Sequence, residues 1–403
     1  MDFDEAVKFI EGSRSRGIKP GLERITDLLG RMGNPQAHLK FLHIAGTNGK
    51  GSAGAMLSKI LCEANYKTGF YNSPYIKSPV ESLLIDGYTV SEDLFADAVG
   101  AIKKFEVFMD DKPTEYEILT AAAFECFMRE GCVAVVLEAC MGGRRDVTNV
   151  IAPKNLLAAI ILQIGLDHTK YLGDTAEKIA REKAGVIKRG RPIVLYEQAD
   201  SIMDVVKDEA KKNNSECYVA HLSAADGYNV SLRGPHQKRN AAAAVTAARL
   251  LNGCGFNISE LDIKNALARV NWPYRTEIKN RNGCRCLFDS AHNPDGVAAL
   301  AELIKNDYPK TEVVFLAGFL RDKDYVSMLK IIKPLGKTIV CVTPDNPRAL
   351  HAEELQKVCV ELGFFAETEK CSPEALIKAA AIANNKKQNL VCVFGSQYML
   401  QNV

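Results

Sequence analysis

Long apolar runs are missing from this chain of 403 residues, and tryptophan occurs once, at Trp272. The longest wholly apolar run, 156–162, falls far below the roughly 20 residues a bilayer-spanning helix needs. The start, MDFDEAVKFI, is acidic and has no apolar core segment, so no signal peptide and no membrane partner are expected. Neither sign of charge prevails: 51 Lys plus Arg stand against 49 Asp plus Glu, so no nucleic-acid partner is indicated. Short basic clusters such as Lys386-Lys387 read as solvated helix ends. There is no CxxC pair, and Cys284-x-Cys286 has no second pair to complete a zinc site. Most of the 12 cysteines sit inside apolar runs, as Cys126, Cys132, Cys341 and Cys392 do. Reduced thiols in a cytoplasmic protein are therefore expected.

What is present is alternation. Apolar strand-like runs at 41–45, 68–72, 133–138, 157–164 and 192–196 are separated by helix-spaced apolar faces at 52–64, 117–130 and 175–187. Continuously apolar strands separated by helices imply parallel crossovers and an α/β fold. Two helices follow at 237–252 and 259–270. A hairpin is expected from strands 275–279 and 285–289 around the turn Asn280-Arg281-Asn282-Gly283. A second series then begins, with strands at 311–317, 338–342, 364–368 and 390–394. The break at Asn271-Trp272-Pro273 marks the domain boundary, and the proline makes it a defined hinge.

The most informative stretch is FLHIAGTNGKGSAGAMLSKILCEA, 41–64. Phosphate recognition needs backbone N–H groups aimed at anionic oxygens, which a glycine-permissive turn at a helix N-terminus supplies. Gly46, Gly49 and Gly51 loosen the turn, Lys50 neutralises terminal phosphates, and the Ser52 hydroxyl is suited to Mg²⁺. The spacing departs from G-x-x-x-x-G-K-[ST], since Gly51 separates Lys50 from Ser52. A variant class of nucleotide cradle is indicated, formed by Thr47, Asn48, Gly49, Lys50, Gly51 and Ser52. Elsewhere, Glu138 ends an apolar strand, where a carboxylate is costly unless paired; it reads as a metal ligand, with an ion pair to Arg144 as the alternative. Thr114-Glu115-Tyr116-Glu117 carries a helix start signal.

GTNGKGS resembles the loop of the folylpolyglutamate synthase/dihydrofolate synthase family of the Mur ligase superfamily, and the likeness runs along nearly the whole chain. Gly21-Leu22-Glu23-Arg24-Ile25 is similar to the family's pterin-side segment. Asn72-Ser73-Pro74 is similar to its SPH motif, with Tyr75 in place of histidine. Residues 138–149, EACMGGRRDVTN, resemble EVGLGGRxDATN, departing at Ala139, Cys140 and Met141. Asp167-His168-Thr169 and Arg181-Glu182-Lys183-Ala184-Gly185 follow. Then come Gly234-Pro235-His236-Gln237 with Asn240, and Pro273-Tyr274-Arg275, where the family usually has glycine in the middle. Asp289-Ser290-Ala291-His292-Asn293-Pro294, Asp322-Lys323-Asp324 and Pro347-Arg348 complete the series.

The resemblance implies an N-terminal P-loop-type, mostly parallel sheet ATPase domain over 1–273 and a smaller C-terminal Rossmann-like α/β glutamate-ligase domain over 274–403. It implies ATP-dependent addition of L-glutamate to a folate, and in some members to dihydropteroate, through an acyl phosphate, with domain closure excluding water. Lys50, Lys183 and His292 would be catalytic, and Lys183 would be carbamylated. Ser73, Glu138 and His168 would hold Mg²⁺. Asn240, Arg275 and Asp289 would contact ATP beside the cradle. Gly21, Leu22, Thr114, Glu115, Tyr116, Glu117, Arg144, Arg145 and Asp146 would meet the folate, and Asp322 and Lys323 are candidates for glutamate or closure. A monomer is expected. A peptidoglycan Mur ligase would need a further domain where only about 40 residues precede the loop. A P-loop switch would leave the second domain unexplained, and a non-catalytic nucleotide-binding module would not need Glu138, His168 and Lys50 intact.

Overall fold

In a computed structural model the structure describes residues 1–385 and 390–402. Lys386-Lys387 lie outside the described residues. The chain divides into two compact units, one of Met1–Ser231 with Lys238–Val270, the other of Leu232–Gln237 with Asn271–Val403.

The first unit is built on an eight-stranded sheet. Its strands are β1 (Phe41–Ala45), β2 (Thr68–Tyr71), β3 (Leu83–Ile85), β4 (Tyr88–Thr89), β5 (Ala134–Glu138), β6 (Leu156–Ile161), β7 (Ile193–Tyr196) and β8 (Cys217–Ala220). The order is β4-β3-β2-β5-β1-β6-β7-β8. Every pairing from β2 to β8 across the sheet is parallel, and only β3 and β4 run antiparallel. The central strands β1 and β5 are buried at every position, as strands covered on both faces must be. Two polar residues interrupt their apolar character, His43 in β1 and Glu138, which comes last in β5, in register with Ile44 of β1. The carboxyl ends of β1, β2, β5 and β6 therefore lie along one edge, where ligand sites of such sheets form.

The second unit carries β9 (Glu277–Arg281), β10 (Cys284–Phe288), β11 (Val314–Ala317), β12 (Thr338–Cys341), β13 (Phe365–Thr368) and β14 (Leu390–Phe394). Their order is β13-β12-β11-β14-β10-β9, parallel except for β9 against β10. Phe315, Phe319 and Phe394 form edge-to-face contacts in its core. The β9–β10 hairpin starts two residues later than the sequence reading has it. Tyr274 and Thr276 have φ of 56° and 52°, which no strand accommodates, and the turn closes over two left-handed residues, Asn282 and Gly283.

All twelve cysteines are free thiols. No helix among the described residues is long and apolar enough to cross a membrane.

Candidate active site

The glycine-rich loop leaves β1 at Ala45 and enters the helix Lys50–Glu63. Gly49 sits just before the helix with φ of 85°, and a Cβ there would lie 2.3 Å from Oδ1 of Asn240. Glycine is required twice over at that point, by handedness and by space. Thr47 stitches the loop to the segment after β6. Its N–H donates to the Gln163 carbonyl at 2.7 Å; its hydroxyl donates to the Gly165 carbonyl and accepts the Gly165 N–H, both at 3.1 Å. Lys50 folds back over its own loop, with Nζ 3.0 Å from the Gly46 carbonyl and 3.3 Å from that of Thr47. Gly51 and Ser52 are buried in the first helical turn, and Asn48 is half-buried. Backbone amides, one lysine and a helix start thus face a single point, the geometry of an anion seat.

Beside the loop stands Glu138, 4% exposed, its carboxylate 3.9 Å from Lys50 Nζ. The carboxylate is not paired with Arg144, which instead meets Glu209 at 2.9 Å. Ser73 follows β2, the neighbour of β5. His168 stands in the left-handed region, φ 51°, at the start of the helix Thr169–Leu172. Lys183 is the unexpected member: 4% exposed, it donates from Nζ to the Gly46 carbonyl at 2.7 Å. Burial, and then the charge of Lys50, pull its pKa down to about 7. The helix Ala176–Lys183 stops here because Gly185 must pass Arg144: a Cβ on Gly185 would lie 2.4 Å from the Arg144 Cα. On the other side of the same contact, a Cβ on Gly143 would lie 2.7 Å from the Lys183 carbonyl. The Arg144 N–H donates to the Glu182 carbonyl at 2.8 Å, and Asn149 Nδ2 bridges the carbonyls of Arg144 and Gly185. Two motifs forty residues apart in sequence are one interlocked piece.

The pterin-side candidates also converge. The Gly21 N–H reaches the Arg145 carbonyl at 3.4 Å, with Gly21 at φ 139°. Leu22 precedes the helix Glu23–Arg31, whose Arg24 Nε donates to Glu117 Oε2 at 3.1 Å. Glu117, fully buried, closes a capping box by accepting the Thr114 N–H at 2.7 Å and its hydroxyl at 2.9 Å. Its Oε1 is buried with no hydrogen-bond partner. Glu115 accepts from the Tyr75 hydroxyl at 2.6 Å and from Arg14 Nε at 3.0 Å, and Arg14 also bonds the Tyr75 oxygen. Tyr116 is half-buried between these two carboxylates. Arg145 lies 3.6 Å from Glu182. Asp146 is buried, and its oxygens take the N–H of Met141 and both the N–H and hydroxyl of Thr148.

In the second unit, Asp289 is the clasp of a tight corner. Its Oδ2 accepts the Thr276 N–H at 2.9 Å and its Oδ1 the Ala291 N–H at 2.7 Å. Arg275 donates to the Ser290 hydroxyl. His292 Nδ1 lies 2.9 Å from the Ser290 carbonyl, to which it donates. Asp322 pairs with Arg348 at 3.3 Å. Asn240 belongs to the first unit, whereas Arg275, Asp289 and His292 belong to the second. Sequence reasoning missed Arg14, Glu182, Glu209 and Thr148. Only Thr148 carried a local signal, an Asp-x-Thr turn after a glycine pair.

The sequence matches two family profiles, the Mur ligase middle domain over residues 44–229 and the Mur ligase glutamate ligase domain over 274–397. It is 33% identical to the dihydrofolate synthase/folylpolyglutamate synthase of Bacillus subtilis, over 100% of this chain and 98% of that protein. Among solved structures, Mycobacterium tuberculosis folylpolyglutamate synthase complexed with ADP and AMPPCP superposes with a TM-score of 0.90 at 27% identity, covering 100% of this chain and 98% of that one. A bifunctional folylpolyglutamate synthase/dihydrofolate synthase of Yersinia pestis, complexed with AMPPNP and a Mn ion, gives 0.85 at 26% identity, covering 100% and 97%. With the glycine loop, the paired lysines on the Gly46 carbonyl and the interlocked Gly143–Gly185 motifs in place, the chain belongs to the folylpolyglutamate synthase/dihydrofolate synthase family of the Mur ligases.

Proposed function

We propose that this protein joins the amine of L-glutamate to the side-chain carboxylate of a folate, converting ATP to ADP and phosphate. A carboxylate is a poor electrophile, so its oxygen first takes the γ-phosphoryl group of ATP. The amine then attacks the carbonyl carbon of the acyl phosphate, the C–O bond breaks, phosphate leaves, and one proton is released as the amide forms. The observation that carries this reading is the convergence of Lys50 and Lys183 on the Gly46 carbonyl beside buried Glu138. The Lys50 ammonium and the loop's backbone donors would there stabilise the negative charge that gathers on phosphoryl oxygens.

Ser73, Glu138 and His168 would hold Mg²⁺. The donor set fits: a buried carboxylate with a hydroxyl and an imidazole on one sheet edge suits a cation that also binds phosphate oxygens. When bound, Mg²⁺ supplies further neutralisation of the phosphates. Lys50 holds the transferred group, and the loop amides from Asn48 to Ser52 orient it. Lys183, partly deprotonated near pH 7, is suited to carbamylation: its neutral nitrogen adds to the carbon of CO₂, one proton leaves, and a carbamate anion replaces the amine. Asn240, Arg275, Asp289 and His292 would serve the nucleotide. Because the carboxylate of Asp289 is spent on two backbone amides, its part is to shape the corner that presents Arg275 and His292.

The folate would lie against Gly21, Leu22, Thr114–Glu117 and the 144–146 loop. The unpartnered, buried Oε1 of Glu117 supports this, since a pterin offers amino and ring N–H donors. We take residues 1–273 as the ATP-handling domain and 274–403 as the glutamate-handling one, acting as a cytoplasmic monomer. Phosphate release that requires glutamate and tetrahydrofolate together tests the reading, and dihydropteroate in a parallel reaction decides whether the first glutamate addition is also catalysed.

A further inference from the structure

One polar side chain interrupts the apolar strand β1. His43 is fully buried, three residues ahead of Gly46, and its Nε2 lies 2.8 Å from Thr148 Oγ1. Thr148 Oγ1 lies 2.5 Å from Asp146 Oδ1, which also takes the Thr148 N–H at 3.0 Å. Asp146 Oδ2 takes the Met141 N–H at 2.6 Å. Proton directions follow from counting. Burial pushes the Asp146 carboxyl up, while the N–H groups of Met141 and Thr148 oppose this by bonding its oxygens, and the short contact from the Thr148 hydroxyl is that of a charge-assisted bond to a carboxylate. The one hydroxyl proton of Thr148 is thus committed to Asp146, and its oxygen can only accept from His43 Nε2–H. His43 Nδ1, with no hydrogen-bond partner, is the bare nitrogen of that tautomer. Burial, and then Lys188, press the His43 pKa down to about 3, in keeping with a neutral ring.

We propose that His43 is a positioning residue for the folate loop: through Thr148 and Asp146 it fixes residues 141–149, which carry Arg144 and Arg145, to the strand that ends in the phosphate loop. This rests on reading that loop as the folate contact. A space-filling role would be served better by an apolar residue, because a buried imidazole must recover its desolvation through hydrogen bonds. Here the recovered bond runs to a loop with substrate candidates on it, not to the strand's neighbours β5 and β6. The relay ties together the two segments whose registry decides where carboxylate and γ-phosphate meet, and such placement is worth large factors in rate.

The test uses the full chain. His43→Leu keeps the bulk and removes the donor, whereas His43→Gln returns an N–H near the position of Nε2. His43→Leu should raise the KM for tetrahydrofolate about tenfold, the loss of one buried hydrogen bond, and leave the KM for ATP within about twofold. His43→Gln should recover most of the difference. If His43→Leu does not fold, Thr148→Val should show the same split and Thr148→Ser should restore it. Hydrogen exchange gives a readout independent of turnover, with the Met141 and Thr148 amides exchanging faster in the variant and those of 47–52 unchanged. Equal rises in both KM values, an unchanged folate KM, or unaltered exchange at 141–149 would overturn the relay. A wild-type chain with no folate-dependent turnover would refute the functional reading instead, and the exchange result would still judge the relay.

Discussion

Lys183 Nζ lies 2.7 Å from the Gly46 carbonyl, the same oxygen that Lys50 Nζ approaches at 3.0 Å. Two ammonium groups on one buried acceptor repel each other, and burial penalises the inner one more. The Lys183 pKa falls from 10.5 to about 7 for that reason. A group whose charged form is disfavoured in the folded state binds fewer protons there than in the unfolded chain. Its contribution to stability therefore improves with rising pH between about 7 and 10.5, and below 7 the full penalty applies.

The proposed carbamylation needs a deprotonated amine, and a pKa near 7 supplies one. Lys183→Ala should lose activity by at least about a hundredfold, the size expected for a charge-stabilising group, and added short-chain carboxylates should restore part of it. With ¹³C-labelled CO₂, a carbamate carbon signal should appear in the wild type and vanish in the variant. Full activity in CO₂-free buffer without that signal would count against the modification.

Lys50→Ala should cut kcat by on the order of a hundredfold or more with little change in Tm. Lys50 is half-buried, bonds to carbonyls of its own loop and lies at the outer limit of an ion pair with Glu138, 3.9 Å away, so packing loses little. Thermal unfolding beside turnover separates the two effects, and ligation near the wild-type rate would remove Lys50 from the mechanism.

Gly185→Ala should be among the most damaging single-carbon additions in the first unit. The new Cβ would meet backbone atoms of Arg144 at 2.4 and 2.7 Å, and backbone cannot swing aside as a side-chain tip does. Overpacking of this kind costs about 1–3 kcal/mol, read as a lowered denaturation midpoint. An unchanged midpoint would mean that the two motifs do not interlock as described.

Tyr274 is a bulky residue in the left-handed region, with a φ of 56°. The ring is 8% exposed, sits edge-on to Phe288 at 6.4 Å, and has Lys279 Nζ 5.1 Å above it. Packing thus offsets a left-handed backbone worth roughly 1–2 kcal/mol. Both truncations should destabilise, but Tyr274→Gly by about 1 kcal/mol less than Tyr274→Ala. The usual order, with alanine the milder change, would show that the backbone there is unstrained.

Much of this was readable before any coordinates. The strand 390–394 and the strand 41–45 are legible to the residue, because each is a short, almost wholly apolar run with a polar residue before it and glycine after it. The parallel order followed from the intervening helices. Local signals carry less about what a distant segment does to a site. The hairpin of β3 and β4 turns on Asp86-Gly87, both left-handed, yet its strands of three and two residues hold too little pattern to register. Strand β8 has mixed exposure and reads as loop. The helix reading of 175–187 ran past Lys183 because nothing in the sequence shows that Arg144 presses on Gly185. Likewise Lys183 has the spacing of a solvated helix lysine, and only the fold buries it against Gly46. The motif likeness implies that Asp146 and Asp289 contact ligands; that their carboxylates also hold backbone amides of their own loops, with the Thr148 hydroxyl on Asp146 as well, is not readable from residue identity.

The central claim is a ligation that needs three substrates at once. Incubate the purified chain with ATP, Mg²⁺, labelled L-glutamate and tetrahydrofolate, omitting one component at a time, and follow ADP together with glutamate incorporated into folate. ADP and glutamylated folate should form in equal amounts, and only in the complete mixture. ATP hydrolysis that proceeds regardless of glutamate and folate, or no incorporation in the complete mixture, would contradict the account.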